Sequence, residues 1–441
     1  MAGLSYQEAW SYLDRLQFFK IKLGLESMTG LLAELGSPEK KYPCIHIAGT
    51  NGKGSVAATL LSILSAAGFR VGLYTSPHLS SVRERFRIGD AFIAEDEFAA
   101  MAGRIIQVLG GRQITYFEFT TALALLWFAE NKVDLALLEV GLGGRLDATN
   151  VVTPEVSVIT NIGLDHEQYL GSTIGEIAAE KAGIIKPRVP VVTGARQGEA
   201  LAVIAARAAC LRAPLFQLDR DFSARPHPAD RGRWSYAGLR TDDDDQPQLL
   251  TDLPLTLRGA HQVDNAALAL AALEVVRLQF PVSEAQLRQG LSQVAWPGRL
   301  EELSLANGAH FLLDGAHNPD GARSLAAALR DEIHPNRLIL VWACMADKDI
   351  ATTLLEVAPL AAEIIFTRPE SERSAQPERL RDLLPANLRE QIRTSCAASV
   401  QEALDQAMAS AGTDALICVA GSLYLVGQAR MLLRGELADG R

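Results

Sequence analysis

The sequence predicts an α/β protein built on parallel sheets, because short apolar runs alternate with helical stretches along most of the chain. A first series of runs lies at 45–48, 72–74, 135–140, 156–159, 189–192 and 215–217. A second series lies at 311–313, 338–342, 364–367 and 416–420. Continuous apolar strands separated by helices are typical of parallel sheets that are covered on both faces. The tripeptide Trp296-Pro297-Gly298 separates the two series, so we expect a larger domain, 1–295, and a smaller Rossmann-like α/β domain, 296–441.

Length and composition are those of a globular protein with more than one domain. A chain of 441 residues has room for about two or three domains. The formal net charge of −10 argues against general nucleic-acid binding, which needs a basic face. The cysteines are dispersed, with no Cys-x-x-Cys pair, as is typical of a reducing compartment. Since the sequence has neither an apolar signal core at its start nor an apolar run of about 18 residues, we expect a cytoplasmic protein that does not bind membranes.

Further elements follow from helical spacing and from a change in composition. Residues 6–19 and 28–35 have helical patterns, and the helix that begins near Lys53 is expected to end at Gly68. Residues 219–258 are polar and include a run of four aspartates at 242–245, so we expect a surface hairpin region there.

A glycine-rich segment, Gly49-Thr50-Asn51-Gly52-Lys53-Gly54-Ser55, lies between the first apolar run and a helical pattern. A strand, a glycine turn and a helix N-terminus in this order form a phosphate-binding loop, in which backbone N–H groups surround the anion. Lys53 can reach the outer phosphates, and the Ser55 hydroxyl lies near the accompanying metal ion. Only two residues separate the flanking glycines, unlike the common Gly-x4-Gly-Lys-Ser/Thr loop. The alternative is a plain glycine turn; we interpret the segment as a nucleoside-triphosphate site in a P-loop parallel-sheet ATPase domain.

Polar residues follow three of the expected strands. Ser76 follows the second strand and can supply a neutral oxygen to Mg²⁺. Glu139 lies at the end of the third strand and is a natural Mg²⁺ ligand beside the phosphate loop; alternatively, it pairs with an arginine such as Arg145. His166, next to Asp165, follows the fourth strand. A lone histidine is more often structural, but its place at a strand end favours a ligand.

The nucleotide is expected to be ATP rather than GTP. The tetrapeptide Asn131-Lys132-Val133-Asp134 fits the Asn-Lys-x-Asp pattern of GTPases, but it follows a helical stretch and precedes Glu139. A guanine-reading motif should follow a strand and come after the metal-binding carboxylate. We therefore interpret this tetrapeptide as a turn from helix to strand.

Lys181 is expected on a helix that begins near Thr173, because Thr173 and Glu176 have the spacing of a capping box. The glycines that follow Val140 do not form a dinucleotide fingerprint, since Leu146 occupies the sixth position of Gly-x-Gly-x-x-Gly. We therefore exclude a dinucleotide site.

Together these motifs closely resemble the folylpolyglutamate synthase and dihydrofolate synthase family, a branch of the Mur ligase group. The resemblance covers nearly the whole chain. It rests on Gly49–Ser55, Tyr74–Leu79, Phe117–Thr121, Glu139–Asn150, Gly163–His166, Glu180–Pro187, Trp296–Glu301, Asp314–Pro319 and Asp347–Asp349. It implies that 1–295 is the central, ATP-binding type of Mur ligase domain and that 296–441 is the C-terminal type.

The resemblance also implies roles for individual residues. ATP would contact Gly52, Lys53, Gly54, Ser55, Asn265, Arg299 and Asp314. Mg²⁺ would be held by Ser76 and Glu139, and a second Mg²⁺ by His166. Lys181 matches a lysine that is carbamylated in this group, and Lys53, Lys181, His317 and Lys348 would be the catalytic residues. The pteroate site would be lined by Phe117, Glu118, Phe119, Thr120, Leu146, Asp147 and Ala148.

The implied activity is ATP-dependent addition of L-glutamate to dihydropteroate, to the γ-carboxylate of reduced folates, or to both, through an acyl phosphate. Family members are usually monomeric, so a monomer is expected. The expected partners are its small-molecule substrates: ATP, L-glutamate and dihydropteroate or a reduced folate. The alternatives are a folylpolyglutamate synthase without the second activity, another Mur-type amino-acid ligase, a small-molecule kinase and a nucleotide-dependent switch. A kinase would leave the second domain and the pair His166 and Lys181 unexplained.

Overall fold

The computed structural model describes residues 4–16, 24–227, 230, 232–239, 248–412 and 414–435. The described strands are β1 Cys44–Ala48, β2 Val71–Tyr74, β3 Phe86–Ile88, β4 Ala91–Phe92, β5 Leu135–Glu139, β6 Val156–Ile159, β7 Val191–Thr193, β8 Leu215–Gln217, β9 Ser223–Pro226, β10 Arg233–Ala237, β11 Leu249–Pro254, β12 Glu301–Ser304, β13 His310–Leu313, β14 Arg337–Trp342, β15 Glu363–Phe366, β16 Arg393–Cys396 and β17 Ala415–Ala420. The described α-helices are α1 Tyr6–Arg15, α2 Glu26–Glu34, α3 Lys53–Ala66, α4 Glu95–Leu109, α5 Tyr116–Glu130, α6 Glu167–Leu170, α7 Ile174–Ala182, α8 Gly198–Cys210, α9 His261–Val275, α10 Glu284–Gln293, α11 Pro319–Ala328, α12 Ile350–Val357, α13 Pro377–Asp382, α14 Ala386–Gln391, α15 Val400–Ala411 and α16 Leu423–Arg434.

The larger sheet has the strand order β4-β3-β2-β5-β1-β6-β7-β8. Strands β2, β5, β1, β6, β7 and β8 are parallel, as predicted, and the short β3 and β4 extend the β2 edge in antiparallel fashion. β1 lies between β5 and β6, with Ile47 opposite Glu139 and Val158. The three carboxyl ends from which the predicted site loops emerge therefore lie side by side.

Helices cover both faces of this sheet. Helices α3 and α9 pack in the core on one face, whereas α4 and α5 pack on the other. The middle of α5 is apolar all round, which is typical of a buried helix. The Asn-Lys-Val-Asp tetrapeptide is the turn from α5 to β5, as predicted: Asp134 accepts a hydrogen bond from the Arg70 backbone N–H at 2.7 Å.

The hairpin region is a separate antiparallel sheet with the order β11-β10-β9. Its Trp234 and Tyr236 are buried against the core that contains α9. The predicted acidic loop at 242–245 and the end of the first predicted helix, 17–19, lie outside the described residues.

The second sheet has the order β12-β13-β17-β14-β15-β16, with β12 antiparallel and the other strands parallel. Of these strands, β12 and β16 were not predicted. Both are edge strands with polar sequences, so neither has a continuous apolar run. None of the helices in the described ranges has the length and apolar character needed to cross a membrane.

Candidate active site

A cavity of about 490 Å³ lies between the carboxyl ends of β1, β5 and β6 and the C-terminal sheet. This volume falls within the usual range for small-molecule sites, about 300–1,000 Å³. The predicted residues that line it are Gly52, Lys53, Gly54, Ser76, Phe117, Glu118, Glu139, Leu146, Asp147, Ala148, His166, Lys181, Arg299, His317 and Lys348. The predicted residues outside the lining are Ser55, Phe119, Thr120, Asn265 and Asp314. Most of the predicted site residues therefore converge on one cavity.

The predicted phosphate-binding loop is held in position by residues at the end of β6. Asn161 accepts hydrogen bonds from the Thr50 N–H through its carbonyl oxygen, at 3.0 Å, and from the Asn51 N–H through its side chain, at 2.8 Å. Thr160 lies so close that a Cβ on Gly49, where φ is +150°, would be 1.8 Å from its Oγ1. Helix α3 then begins without a side-chain cap. Its N-terminus is thereby left free to bind an anion.

Lys53, the first residue of α3, curls back over the loop. Its Nζ donates to the carbonyl oxygens of Gly49 and Thr50, both at 3.1 Å. Burial lowers the pKa of Lys53, while the nearby carboxylates of Glu139 and Asp165 raise it. The ammonium is therefore partly desolvated and held by neutral carbonyl oxygens, an arrangement that favours an added anion such as phosphate.

Glu139 is 5% exposed at the end of β5. The hydroxyl of Thr75 donates to its Oε2, and the Ser76 N–H lies 3.3 Å from the same atom. The alternative pairing with Arg145 is wrong, because Arg145 contacts Glu180 at 2.8 Å instead. Burial raises the pKa of Glu139, whereas the charge of Lys53 lowers it.

The residues around Glu139 fit Mg²⁺. In the described part of the chain, no group of three or more His, Cys, Asp or Glu side chains is arranged to hold a metal ion. Mg²⁺ is usually bound by one or two carboxylates together with phosphate oxygens and waters. Glu139 supplies one buried carboxylate beside Ser76, and both residues line the cavity that holds the phosphate loop. These residues match that kind of Mg²⁺ site.

Lys181 lies on α7, whose start is the predicted capping box. Thr173 accepts from the Glu176 N–H at 3.2 Å, and Glu176 accepts from the Thr173 N–H at 3.1 Å. Lys181 is 4% exposed, and its Nζ donates to the Gly49 carbonyl at 3.0 Å. Burial, helped by the charge of Lys53, lowers the pKa of Lys181 to about 7. A large fraction of this amine is therefore neutral near pH 7, the form that can react with carbon dioxide.

Asp165 connects the loops of the eight-stranded and six-stranded sheets and was not predicted as a site residue. Its Oδ1 lies 2.5 Å from Lys348 Nζ, and its Oδ2 accepts from Asn318 Nδ2 at 3.1 Å. Burial raises the pKa of Asp165, but the opposing effect of the neighbouring His317, Lys348 and His166 is larger. The pKa of this carboxyl is therefore held well below its usual range. The sequence signal was its place in the strand-end cluster, where only His166 was singled out.

The His166 imidazole lies closer to the Lys348 ammonium than to the Asp165 carboxylate, whose Oδ2 is 3.9 Å from its Nε2. Its Nε2 lies 3.1 Å from the Lys348 ammonium, which can donate to it. Burial lowers the pKa of His166 to about 4, although the charge of Asp165 opposes this. The imidazole is therefore neutral and able to accept, and in this structure its partner is Lys348.

Comparisons with known proteins identify the family of this chain. The model of the Mur ligase middle domain matches residues 47–273, and that of the Mur ligase, glutamate ligase domain matches 298–423. A Bacillus subtilis protein named dihydrofolate synthase/folylpolyglutamate synthase is 36% identical over 443 residues, which cover 98% of this chain and 99% of the relative. This chain belongs to the dihydrofolate synthase/folylpolyglutamate synthase family of Mur ligases.

Solved members of the family have the same fold. An E. coli member in complex with DHPP and ADP superposes with a TM-score of 0.87 at 34% identity and covers 98% of both chains. A Yersinia pestis bifunctional folylpolyglutamate synthase/dihydrofolate synthase complexed with AMPPNP and Mn ion has a TM-score of 0.86 at 35% identity, again with 98% of both chains covered. The predicted family and α/β fold class are thus confirmed.

The wall that family resemblance assigns to the pteroate is only partly exposed to the cavity. The Phe117 ring lies against Gly141, where a Cβ would be 2.4 Å from the ring. Glu118 caps α5, because it accepts from the Thr115 N–H at 2.9 Å. Phe119 is fully buried in the core, and the Thr120 hydroxyl is 2.8 Å from that of Tyr74. In this family member Phe117 and Glu118 line the cavity, whereas Phe119 and Thr120 lie in the protein interior.

Two predicted nucleotide residues, Asn265 and Asp314, lie outside the cavity lining and pack against segments that form it. Asn265 lies against Gly52, where a Cβ would be 2.4 Å from its Oδ1, and it donates to Gln262 at 2.9 Å. Asp314 accepts from the Leu300 N–H at 2.9 Å and so fixes the turn that carries Arg299. Their direct contact with nucleotide stays a prediction.

Arg85 also lines the cavity and was not predicted. Its Nε donates to His78 Nδ1 at 2.9 Å, and its guanidinium lies 5.3 Å from the centre of the Tyr116 ring. Nothing in the local sequence distinguishes Arg85 from Arg83 or Arg87, so only the fold reveals its position.

Proposed function

We propose that this chain is an ATP-dependent ligase that adds L-glutamate to dihydropteroate, to the γ-carboxylate of reduced folates, or to both. The observation that carries this proposal is the single cavity in which the phosphate loop, Glu139 and Lys181 face His317 and Lys348 of the C-terminal sheet. The names of the relatives support the substrate class, since the B. subtilis and E. coli proteins are dihydrofolate synthase/folylpolyglutamate synthases.

The eight-stranded and six-stranded sheets support a division into two domains. Residues 1–295 form the ATP-binding domain and 296–441 the C-terminal domain, with the linker at Trp296-Pro297-Gly298 between α10 and β12. The protein acts as a monomer in the cytoplasm on small molecules, binding neither nucleic acid nor membranes.

The reaction has two steps that conserve all atoms. The substrate carboxylate attacks the γ-phosphorus of ATP, which gives an acyl phosphate and ADP. The amine of glutamate then attacks the acyl carbon and expels inorganic phosphate, with loss of a proton from nitrogen. In the first step Lys53 and the N–H groups at the start of α3 bind the phosphates and hold the γ-phosphorus in line with the carboxylate.

Mg²⁺ held by Ser76 and Glu139 would neutralise phosphate charge. A carbamate on Lys181 would turn this cation into a second anionic group near that metal. His166 is proposed for a second Mg²⁺, which requires Lys348 to leave the imidazole Nε2 that it now contacts at 3.1 Å.

Contacts between the domains at the edge of the cavity would limit the access of water to the reaction. Asn51 on the phosphate loop and Asn318 at the start of α11 exchange two side-chain hydrogen bonds, at 3.2 and 3.1 Å. The ion pair between Asp165 and Lys348 lies beside them. An acyl phosphate hydrolyses readily, so contacts that hold the two domains together beside the cavity would protect it.

The proposal is tested by ADP release with Mg²⁺-ATP and glutamate, with dihydropteroate and tetrahydrofolate supplied separately and the products identified by mass. We expect glutamate-dependent turnover with at least one acceptor, and turnover with both if the protein is bifunctional. The control variant Lys53→Ala should remain folded but lose turnover. Failure of the wild type to use either acceptor would contradict the folate assignment.

A further inference from the structure

His46 is a buried imidazole for which the proposed reaction has no use. It lies in the middle of the central strand β1, opposite Leu138 of β5 and Ser157 of β6. The neighbouring Ile45 and Ile47 point into the apolar core on the opposite face. His46 is fully buried, and burial lowers its pKa to about 3, so the ring is neutral at pH 7.

A chain of hydrogen bonds connects this imidazole to the cavity wall. His46 Nε2 lies 2.8 Å from the Thr149 hydroxyl, and that hydroxyl lies 2.5 Å from Asp147 Oδ1. Since the hydroxyl proton is donated to the carboxylate, Thr149 accepts from the Nε2–H of His46. This network assigns the tautomer of the ring.

Asp147 organises the loop that forms one wall of the cavity. Its Oδ2 accepts from the N–H groups of Gly141, at 3.0 Å, and Leu142, at 2.8 Å. Its Oδ1 also accepts from the Thr149 N–H at 3.0 Å. Gly141 in turn supports the Phe117 ring. The carboxylate therefore fixes both ends of the loop that faces the proposed pteroate site.

The burial of His46 lowers the stability of the fold, which indicates that the imidazole has a functional role. In the described structure its Nδ1 is buried without a hydrogen-bond partner, and an unpaired buried polar atom lowers stability. A leucine or phenylalanine would suit the interior of β1 better. Unlike those apolar side chains, the imidazole can donate a directed hydrogen bond to Thr149.

We infer that His46 is a positioning residue, which acts through Thr149 and Asp147 to hold the loop 141–149 in the shape that binds the acceptor substrate. Strand β1 also leads directly into the phosphate loop, three residues after His46. The same strand thus sets the position of the nucleotide loop and, through His46, of the acceptor loop. The inference rests on the proposed function for the identity of the acceptor.

The test compares four variants. His46→Phe keeps a ring but no donor, and His46→Gln restores an N–H donor near the Nε2 position. Thr149→Val removes the hydroxyl, and Thr149→Ser keeps it. The matched control is Thr193→Val, which removes a fully buried hydroxyl from β7 of the same sheet; that hydroxyl donates to the Ile159 carbonyl at 3.1 Å, outside the network.

Hydrogen exchange of peptides that cover 141–149 reports on positioning independently of activity. We expect His46→Phe and Thr149→Val to speed exchange of the Leu142 amide by about tenfold, the effect of losing one buried hydrogen bond. The wild type, Thr149→Ser and Thr193→Val should exchange at similar rates. Unchanged exchange in both donor-lacking variants would overturn the inference, whether or not the enzyme is active.

Steady-state kinetics test the consequence for binding. His46→Phe should raise KM for the acceptor by about tenfold and leave KM for ATP within about twofold, while His46→Gln recovers most of the loss. Equal effects on both KM values, or no recovery with His46→Gln, would overturn the inference. Absence of wild-type turnover would instead contradict the proposed function, and the exchange experiment would still decide the positioning role.

Discussion

Replacing Lys181 with methionine should stabilise the ligand-free protein at neutral pH, although Lys181 is proposed to be essential for the reaction. The ammonium is 4% exposed and contacts the neutral carbonyl oxygen of Gly49 at 3.0 Å. Burial and the charge of Lys53 together lower the pKa of Lys181 to about 7. The folded protein therefore disfavours the protonated form of this side chain, which the unfolded chain does not.

The size of the effect follows from the pKa. The fall from 10.5 to about 7 corresponds to about 5 kcal/mol of lost folding free energy when Lys181 is fully protonated. At pH 7, where about half of the folded molecules have a neutral amine, the loss is about 4 kcal/mol. Methionine gives up one hydrogen bond worth about 1 kcal/mol. Gly49 keeps its contact with Lys53 at 3.1 Å, so we expect a net gain of about 3 kcal/mol.

The gain depends on pH in a defined direction. Below about pH 7 the folded and unfolded chains are both protonated at Lys181, so the full penalty applies to the wild type. Between pH 7 and 10.5 the folded protein loses this proton first and the penalty disappears. The advantage of Lys181→Met should therefore be large at neutral pH and small near pH 10.

Urea unfolding in buffers free of carbon dioxide and nucleotide measures this difference. An exposed control, Lys40→Met, should change the free energy of unfolding by no more than about 0.5 kcal/mol. If Lys181→Met is less stable than the wild type at pH 7, or if its advantage is the same near pH 10, Lys181 is not an uncompensated buried cation and the reasoning is wrong.

Other substitutions test separate parts of the site. Lys181→Ala should be nearly inactive and partly restored by short carboxylic acids; full activity would exclude the carbamate. Asp165→Asn should destabilise the contact between the sheets by about 3 kcal/mol, because its buried cationic partner loses its counter-charge; an unchanged urea midpoint and unchanged turnover would contradict this. Gly54→Ala should cost about 1–3 kcal/mol, since its Cβ would lie 2.7 Å from the Trp296 indole. Gly30→Ala, with open space around its Cβ, should be neutral or stabilising by up to about 1 kcal/mol in the same unfolding assay.

Much of the fold could be predicted because the buried strands are continuous in sequence. β1, β5, β6 and β14 are apolar runs, and the phosphate loop follows β1 directly. The capping box at Thr173 fixed the register of α7 and hence the position of Lys181. These signals depend only on neighbouring residues, so they can be recognised without knowledge of the tertiary structure.

The features that sequence reasoning missed depend on contacts between distant segments. Asp165 contacts Lys348, which is 183 residues away in the sequence, and Asn51 contacts Asn318, which is 267 residues away. The helix α5 is apolar on every side, so periodicity could not show that Phe117 faces the cavity while Phe119 lies in the core.

The formation of an acyl phosphate can be tested by following the oxygen atoms of the acceptor carboxylate. The enzyme is incubated with Mg²⁺-ATP, glutamate and an acceptor whose reacting carboxylate carries ¹⁸O, and the released phosphate is analysed by mass. An acyl phosphate transfers one of these oxygens to phosphate at every turnover, so we expect singly labelled inorganic phosphate and unlabelled ADP. Unlabelled phosphate, or label in AMP, would contradict it.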